Sequence, residues 1–180
     1  MIEYTLIRSS RKTVGLQIKD GKVIVRAPRR LPKAAIDAFV LKHTEWIKTH
    51  LAKAKATQSA PKLTESELAE LATAAKQTIP ARVAHYASLL DVEYGRITVR
   101  TQKTRWGSCS SKGNLNFNCL LMLAPPEVLD SVVVHELCHR KHMNHSKAFY
   151  EEIARVMPDY KARHAWLKQN GAALMNRVAR

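Results

Sequence analysis

The sequence predicts an α+β protein, on three observations. Short segments with period-two alternation gather at the amino end and recur near residues 97–118. Longer segments between and after them carry helix-period apolar spacing. The resulting order of strands, helices, strands and helices differs from the strict strand–helix alternation of a parallel α/β fold.

Residues 3–8, 13–19 and 22–27 read as strands, and Asp20-Gly21 between the second and third is a strong hairpin signal, so a small antiparallel N-terminal sheet is expected. Pro28 and Pro32 bracket a basic connection. Ile36, Phe39, Val40, Trp46, Ile47 and Leu51 roughly follow helical spacing and predict one helix from Lys33 to Ala52. Lys53 to Lys62, rich in Ala, Lys, Gln, Ser and Pro, reads as a fraying end and a linker. Thr64-Glu65-Ser66-Glu67 is a capping box. It opens a second helix with Leu68, Leu71, Ala75, Ile79, Val83, Tyr86 and Leu90 along one face, which Pro80 is expected to kink or split. Ile97-Thr98-Val99 reads as a strand and Ser110 to Gly113 as the tip of a polar hairpin. Pro126 opens a third helix that runs through His139, and two further helices are expected at 146–156 and 160–176. The expected organisation is an N-terminal β-hairpin and helix subdomain over residues 1–60 and a second, larger domain over 61–180, together one compact unit.

Composition narrows the function classes. In 180 residues, 46% are hydrophobic and 25% charged, which supplies a core and excludes a disordered tail. Three cysteines without CxxC spacing exclude a disulfide framework. The start Met1-Ile2-Glu3-Tyr4 leads into alternating and charged residues rather than an apolar stretch, so a cytoplasmic protein without a signal peptide or membrane span is expected. The net charge is +15, of which residues 1–60 carry +9. Such a surface attracts polyanions, and weak nucleic-acid binding through Arg8, Arg11, Lys12, Arg26, Arg29 and Arg30 is expected from it.

The chemistry is carried by Val132-Val133-Val134-His135-Glu136-Leu137-Cys138-His139, an H-E-x-x-H pattern. Histidines at i and i+4 lie one turn apart on one helical face and can bind one Zn²⁺ at about 2.0–2.1 Å. Glu136 is rotated by about 100° from His135, which lets it reach a metal-activated water and accept its proton as general base. Four of the eight histidines fall within residues 135–145, which a solvated helix does not require. His145 gives the ligand spacing of H-E-x-x-H-x5-H, but His142 occupies the place of the glycine that turns the chain in metzincins. Asn144, which tolerates left-handed angles, is the expected turn residue. His142 is the rival third ligand, set two turns beyond His135; three turns of one straight helix do not converge easily on a tetrahedral ion, which favours His145. Glu151 and Glu152 are the other candidates.

Three stretches carry a resemblance: 105–115 (Arg105-Trp106-Gly107-Ser108-Cys109 through Leu115), 123–130 (Leu123-Ala124-Pro125-Pro126 through Asp130), and His135 to His139 with Asn144-His145-Ser146 and Phe149. Together they resemble the YgjP-like metallopeptidase family, related to the SprT and Spartan-type zincins, closely over residues 105–167 and again at Thr13-Val14 and 23–28. The resemblance implies a zincin-like, minigluzincin-type fold, His135, His139 and His145 as metal ligands, and Glu136 as catalytic base. Where many relatives insert a strand segment containing Gly and aromatic residues, Leu51 to Thr64 is short and polar here, which implies a smaller N-terminal sheet.

A strand beside the metal helix can pair with extended substrate, and Arg105, Trp106 and Ser108 are candidates to line that cleft; a buried Trp anchoring the strand is the competing reading. Cys138, Phe149, Trp166 and Leu167 read as packing residues. The expected function is that of a zinc-dependent hydrolase, a metallopeptidase acting on peptide or protein. Two alternatives remain: metal-dependent hydrolysis of a nucleotide phosphoanhydride, for which no Gly-rich phosphate loop is visible, and a non-enzymatic basic nucleic-acid-binding protein with a structural metal, for which a fourth ligand is missing.

Overall fold

The computed structural model describes residues 2–19, 21–58 and 61–179. The chain gathers into two compact units, Met1–Ala60 and Pro61–Arg180. No helix among the described residues is long and apolar enough to cross a membrane.

The first unit holds strands β1 (Thr5–Ser9), β2 (Gly15–Lys19) and β3 (Lys22–Pro28), then helices α1 (Lys33–Lys42) and α2 (Thr44–Gln58). Val23, Val25 and Ala27 alternate into its core with Ile36, Val40 and Ile47, as a strand with one buried face requires. β2 and β3 pair antiparallel, with Lys19 opposite Lys22. Asp20 of the expected turn lies outside the described residues; Gly21 adopts a positive φ of 73°, which its missing side chain permits. The sheet is mixed rather than wholly antiparallel, because β1 runs parallel to β3. β3 is central, and the segment after β1 carries the chain across to place β2 on the opposite side.

The single helix expected from Lys33 to Ala52 is broken at His43. There the backbone leaves helical angles (φ −105°, ψ 18°) and the His43 N–H turns to the Val40 carbonyl (3.1 Å), which ends the first helix. The second of the two helices then continues to Gln58, through six of the ten residues expected as fraying end and linker; residues 59 and 60 lie outside the described residues.

The second unit begins with α3 (Glu65–Leu90), opened by the expected capping box. Pro80 does not split this helix, whose Ala75, Ile79, Val83 and Leu90 are fully buried on both sides of it. Strands β4 (Ile97–Arg100), β5 (Gly107–Cys109) and β6 (Leu115–Asn118) form a sheet in the order β4-β6-β5, with β4–β6 parallel and β5–β6 antiparallel. A short 3₁₀ turn over Cys119–Leu123 leads into α4 (Pro126–Cys138), followed by α5 (Lys147–Val156) and α6 (Tyr160–Asn176).

The core of this unit surrounds α4, where Val128, Leu129, Val132, Val133, Val134, Leu137 and Cys138 are all buried. A helix apolar on nearly every side must lie inside the fold rather than on its surface. Asp130 fixes its position. Its carboxylate receives Arg82 Nε (2.7 Å) and Nη2 (2.6 Å) from α3, together with the Tyr86 hydroxyl (3.1 Å). This two-pronged clamp holds the helix just over one turn before His135.

Candidate metal centre

His135 and His139 project from the end of α4, and His145 from the segment that precedes α5. One ring nitrogen from each lies within 4.8 Å of those of the other two. The Nε2 atoms of His135 and His145 are 3.1 Å apart. A tetrahedral ion bound at about 2.0–2.1 Å would separate two donors by roughly 3.3 Å, so this spacing suits a shared cation.

The outer nitrogens are already engaged. His135 Nδ1 meets the Tyr160 hydroxyl at 2.8 Å, and His139 Nδ1 meets the His142 carbonyl at 3.0 Å. A proton on Nδ1 leaves the Nε2 lone pair free to bind metal, the arrangement usual for a ligating imidazole. Burial pushes His135 down to about 3, helped by His139 and His145, and burial also lowers His139, so both rings are neutral donors. Among the described residues no fourth His, Cys, Asp or Glu joins the cluster. Three nitrogen donors with an open position fit a catalytic divalent ion.

The turn to His145 differs from expectation. Asn144 does not adopt a left-handed conformation; among the described non-glycine residues only Asp91 has a positive φ. The end of α4 is instead closed by main-chain bonds from Arg140 to Leu137 (2.9 Å) and from Lys141 and His142 to Cys138 (3.1 and 3.0 Å). His142 thus serves through its carbonyl, and its ring stands outside the cluster. Glu152 pairs with Lys141 and Arg155, and Glu151 with Lys147, so neither carboxylate is directed to the imidazoles.

Two residues prove more central than the sequence indicated. Phe149, fully buried, lies with its ring 5.0, 4.8 and 5.0 Å from the rings of His135, His139 and His145. A core aromatic is thereby the floor under all three imidazoles. Its place among the residues that carry the resemblance, three after the helix-capping Ser146, was the available signal. Tyr160, the first residue of α6, orients His135 through its hydroxyl and carried no motif at all. Tyr160→Phe keeps the ring and removes this partner. It should weaken metal binding about 10–100-fold, the usual cost of losing an outer hydrogen bond to a ligand. A chelator competition on the folded variant measures the change.

Glu136 is only 6% exposed and lies against β5. Burial pushes its carboxyl up to about 7, opposed by the Cys109 N–H and the Arg105 charge. Gly107 makes room for it: a Cβ there would stand 2.6 Å from Glu136 Oε1 and 2.8 Å from its Cγ. Gly107→Ala should therefore displace the carboxylate while leaving the imidazoles in place. A shift of about 1 Å in a reacting group costs on the order of 100-fold in rate. Turnover and metal content, measured on the same sample, distinguish this from a folding defect.

The three cleft candidates take different places. Arg105 is exposed. Trp106 is half-buried and packs against Gly171 of α6, whose added Cβ would lie 3.0 Å from the indole. Ser108 Oγ accepts from Asn116 (3.3 Å). The loop before β5 is pinned by buried Asn118, whose amide donates to the carbonyls of Gln102 (2.7 Å) and Arg105 (3.1 Å). Cys138 is buried, and its thiol is pushed up to about 12 by that burial.

Of the basic residues in the first unit, Arg8 donates to the carbonyls of Pro28, Arg29 and Leu31 (3.1, 2.8 and 2.8 Å) and so braces the turn after β3. The Arg11 guanidinium packs over Gly15. Lys12, Arg26, Arg29 and Arg30 are exposed.

A family model for the YgjP-like metallopeptidase domain matches residues 12–72 and 57–170. The chain belongs to the YgjP-like metallopeptidase family. Membership makes it a metal-dependent hydrolase with a peptide or protein as substrate. Two solved structures are similar to it. They are the metallopeptidase zymogen of Pyrococcus abyssi abylysin (20% identity, TM-score 0.47, 51% of this chain and 94% of that one) and the metallopeptidase zymogen of Methanocaldococcus jannaschii jannalysin (22%, 0.46, 51% and 95%). No curated protein sequence matches this YgjP-like chain.

Proposed function

We propose that the protein is a zinc peptidase in which His135, His139 and His145 hold the ion and Glu136 is the general base. The observation that carries this reading is the convergence of three ring nitrogens within 4.8 Å beside a buried carboxyl. Zn²⁺, when bound, supplies a Lewis acid that polarises the scissile carbonyl and makes water a better nucleophile. Glu136 takes the proton from the attacking water as the new C–O bond forms. It then returns that proton to the amide nitrogen as the C–N bond breaks. Gly107 and Phe149 keep the carboxylate and the imidazoles in register for this transfer.

β5 supports the substrate half of the reading. It is an edge strand of its sheet, and its Gly107 lies against the Glu136 side chain. An extended peptide pairing with that edge would bring a scissile bond alongside the carboxylate. Exposed Arg105, in the loop that leads into the same strand, would meet a substrate carboxylate or carbonyl. The nucleic-acid contacts read from the charge rest on Lys12, Arg26, Arg29 and Arg30, which face solvent, since Arg8 is held by main-chain carbonyls.

The test is a substrate panel for the zinc-loaded chain: an unfolded protein, a folded protein with and without DNA, and nucleoside triphosphates. Peptide-bond cleavage that a chelator abolishes and Zn²⁺ restores is the expected result. Hydrolysis confined to the nucleotides would replace the peptidase by a phosphoanhydride hydrolase. Metal binding without any hydrolysis would leave a structural ion.

A further inference from the structure

The edge of the second unit's sheet opposite β5 has its own chemistry. β4 pairs only with β6 among the described strands. Beside it lies a groove of about 480 Å³ lined by Lys76 and Pro80 of α3 and by Arg96 to Arg100. The Arg96 carbonyl accepts from Leu115 of β6 (2.9 Å). Alternation along the strand then turns the N–H and C=O of Ile97 and Val99 to the open edge. On the other wall, Pro80 has no N–H to give the Lys76 carbonyl, which loses its helical partner.

Charge adds to this main-chain template. Lys76, Arg96 and Arg100 are exposed, no carboxylate lines the groove, and none of the three cations has an ion-pair partner among the described residues. Arg96, Thr98 and Arg100 share one face of the strand, while Ile97 and Val99 pack towards the core. A nucleic-acid backbone would satisfy the charge but has no ladder of amides at strand spacing. An extended peptide has both.

We propose that the open edge of β4 adds a strand from a protein partner, an extended segment in which acidic residues alternate with small apolar ones. Its main chain pairs with Ile97 and Val99, and its carboxylates meet Arg96, Arg100 and Lys76. This surface lies on the strand at the far side of the sheet from Glu136, so it stands whether or not the peptidase reading does. Cations at a sheet edge also deter pairing between copies of a chain. That role alone predicts self-association when they are removed and no affinity for an acidic peptide.

The probe is a fluorescent octapeptide alternating glutamate with valine, titrated against the full chain by anisotropy at low and high salt. Saturable binding that weakens as salt rises is expected. Arg96→Glu with Arg100→Glu should weaken it by about tenfold or more, as charge reversal at a desolvated edge does. Lys76→Glu, which leaves the strand untouched, should act in the same direction and guards against a folding artefact. The same peptide N-methylated at alternate residues should not bind. The proposal is overturned by no binding at low salt, by equal binding of the N-methylated peptide, or by an equally charged single-stranded oligonucleotide outcompeting the peptide at these residues. Self-association of the variants with peptide affinity unchanged would overturn it as well.

Discussion

Glu136→Gln is expected to lower hydrolysis by roughly two to four orders of magnitude, the scale of general acid–base catalysis, while the metal stays bound. Glutamine keeps the size of the side chain and can still accept the Cys109 N–H, but it cannot take a proton. The carboxyl is 6% exposed and sits against Gly107 with no space for a larger group, so the near-isosteric change preserves packing. The ring nitrogens of His135, His139 and His145 do not depend on it. The loss should be the same for every substrate in the panel, because each needs a proton taken from the attacking water. Wild-type turnover in this variant would remove Glu136 as the base. Loss of metal or of folded structure would make it a structural or ligating residue.

The second large effect separates two neighbouring histidines. His145→Ala removes a ring whose Nε2 lies 3.1 Å from that of His135, and it should cost more than about 100-fold in metal affinity, beyond what an outer-sphere partner contributes. His142→Ala should leave occupancy near wild type, since His142 contributes its main-chain carbonyl to His139 and that carbonyl survives the substitution. Equilibrium dialysis of both variants against zinc reads the difference. The reverse ranking would make His142 the third ligand and place His145 outside the site.

Much of this was legible before the structure because it is local. The capping box at Thr64, the helix opened by Pro126 and the strand period of 22–27 each lie within a few residues and follow from backbone chemistry. The α+β class follows from their order. The spacing of His135 and His139 is itself a helical fact. What stayed hidden depends on contacts far apart in sequence. The parallel pairing of β1 with β3 is invisible to alternation, which reports a strand but not its neighbour. Tyr160 reaches His135 across 25 positions, and Gly171 receives Trp106 across 65. Phe149 carries the apolar signature of a core residue, and nothing in that signature reveals that its ring faces three imidazoles. The break at His43 was missed for another reason: the apolar spacing runs through it unchanged, while a single residue's backbone (φ −105°, ψ 18°) separates the two helices.

X-ray absorption at the zinc edge of the loaded chain tests the central claim most directly. Three imidazoles, recognised by multiple scattering from their rings, with nitrogens at about 2.0–2.1 Å and one further nitrogen- or oxygen-weight neighbour, are the expected result. A sulfur scatterer at about 2.3 Å, or two imidazoles joined by a protein carboxylate, would contradict the assignment of His135, His139 and His145 as the set that holds the ion.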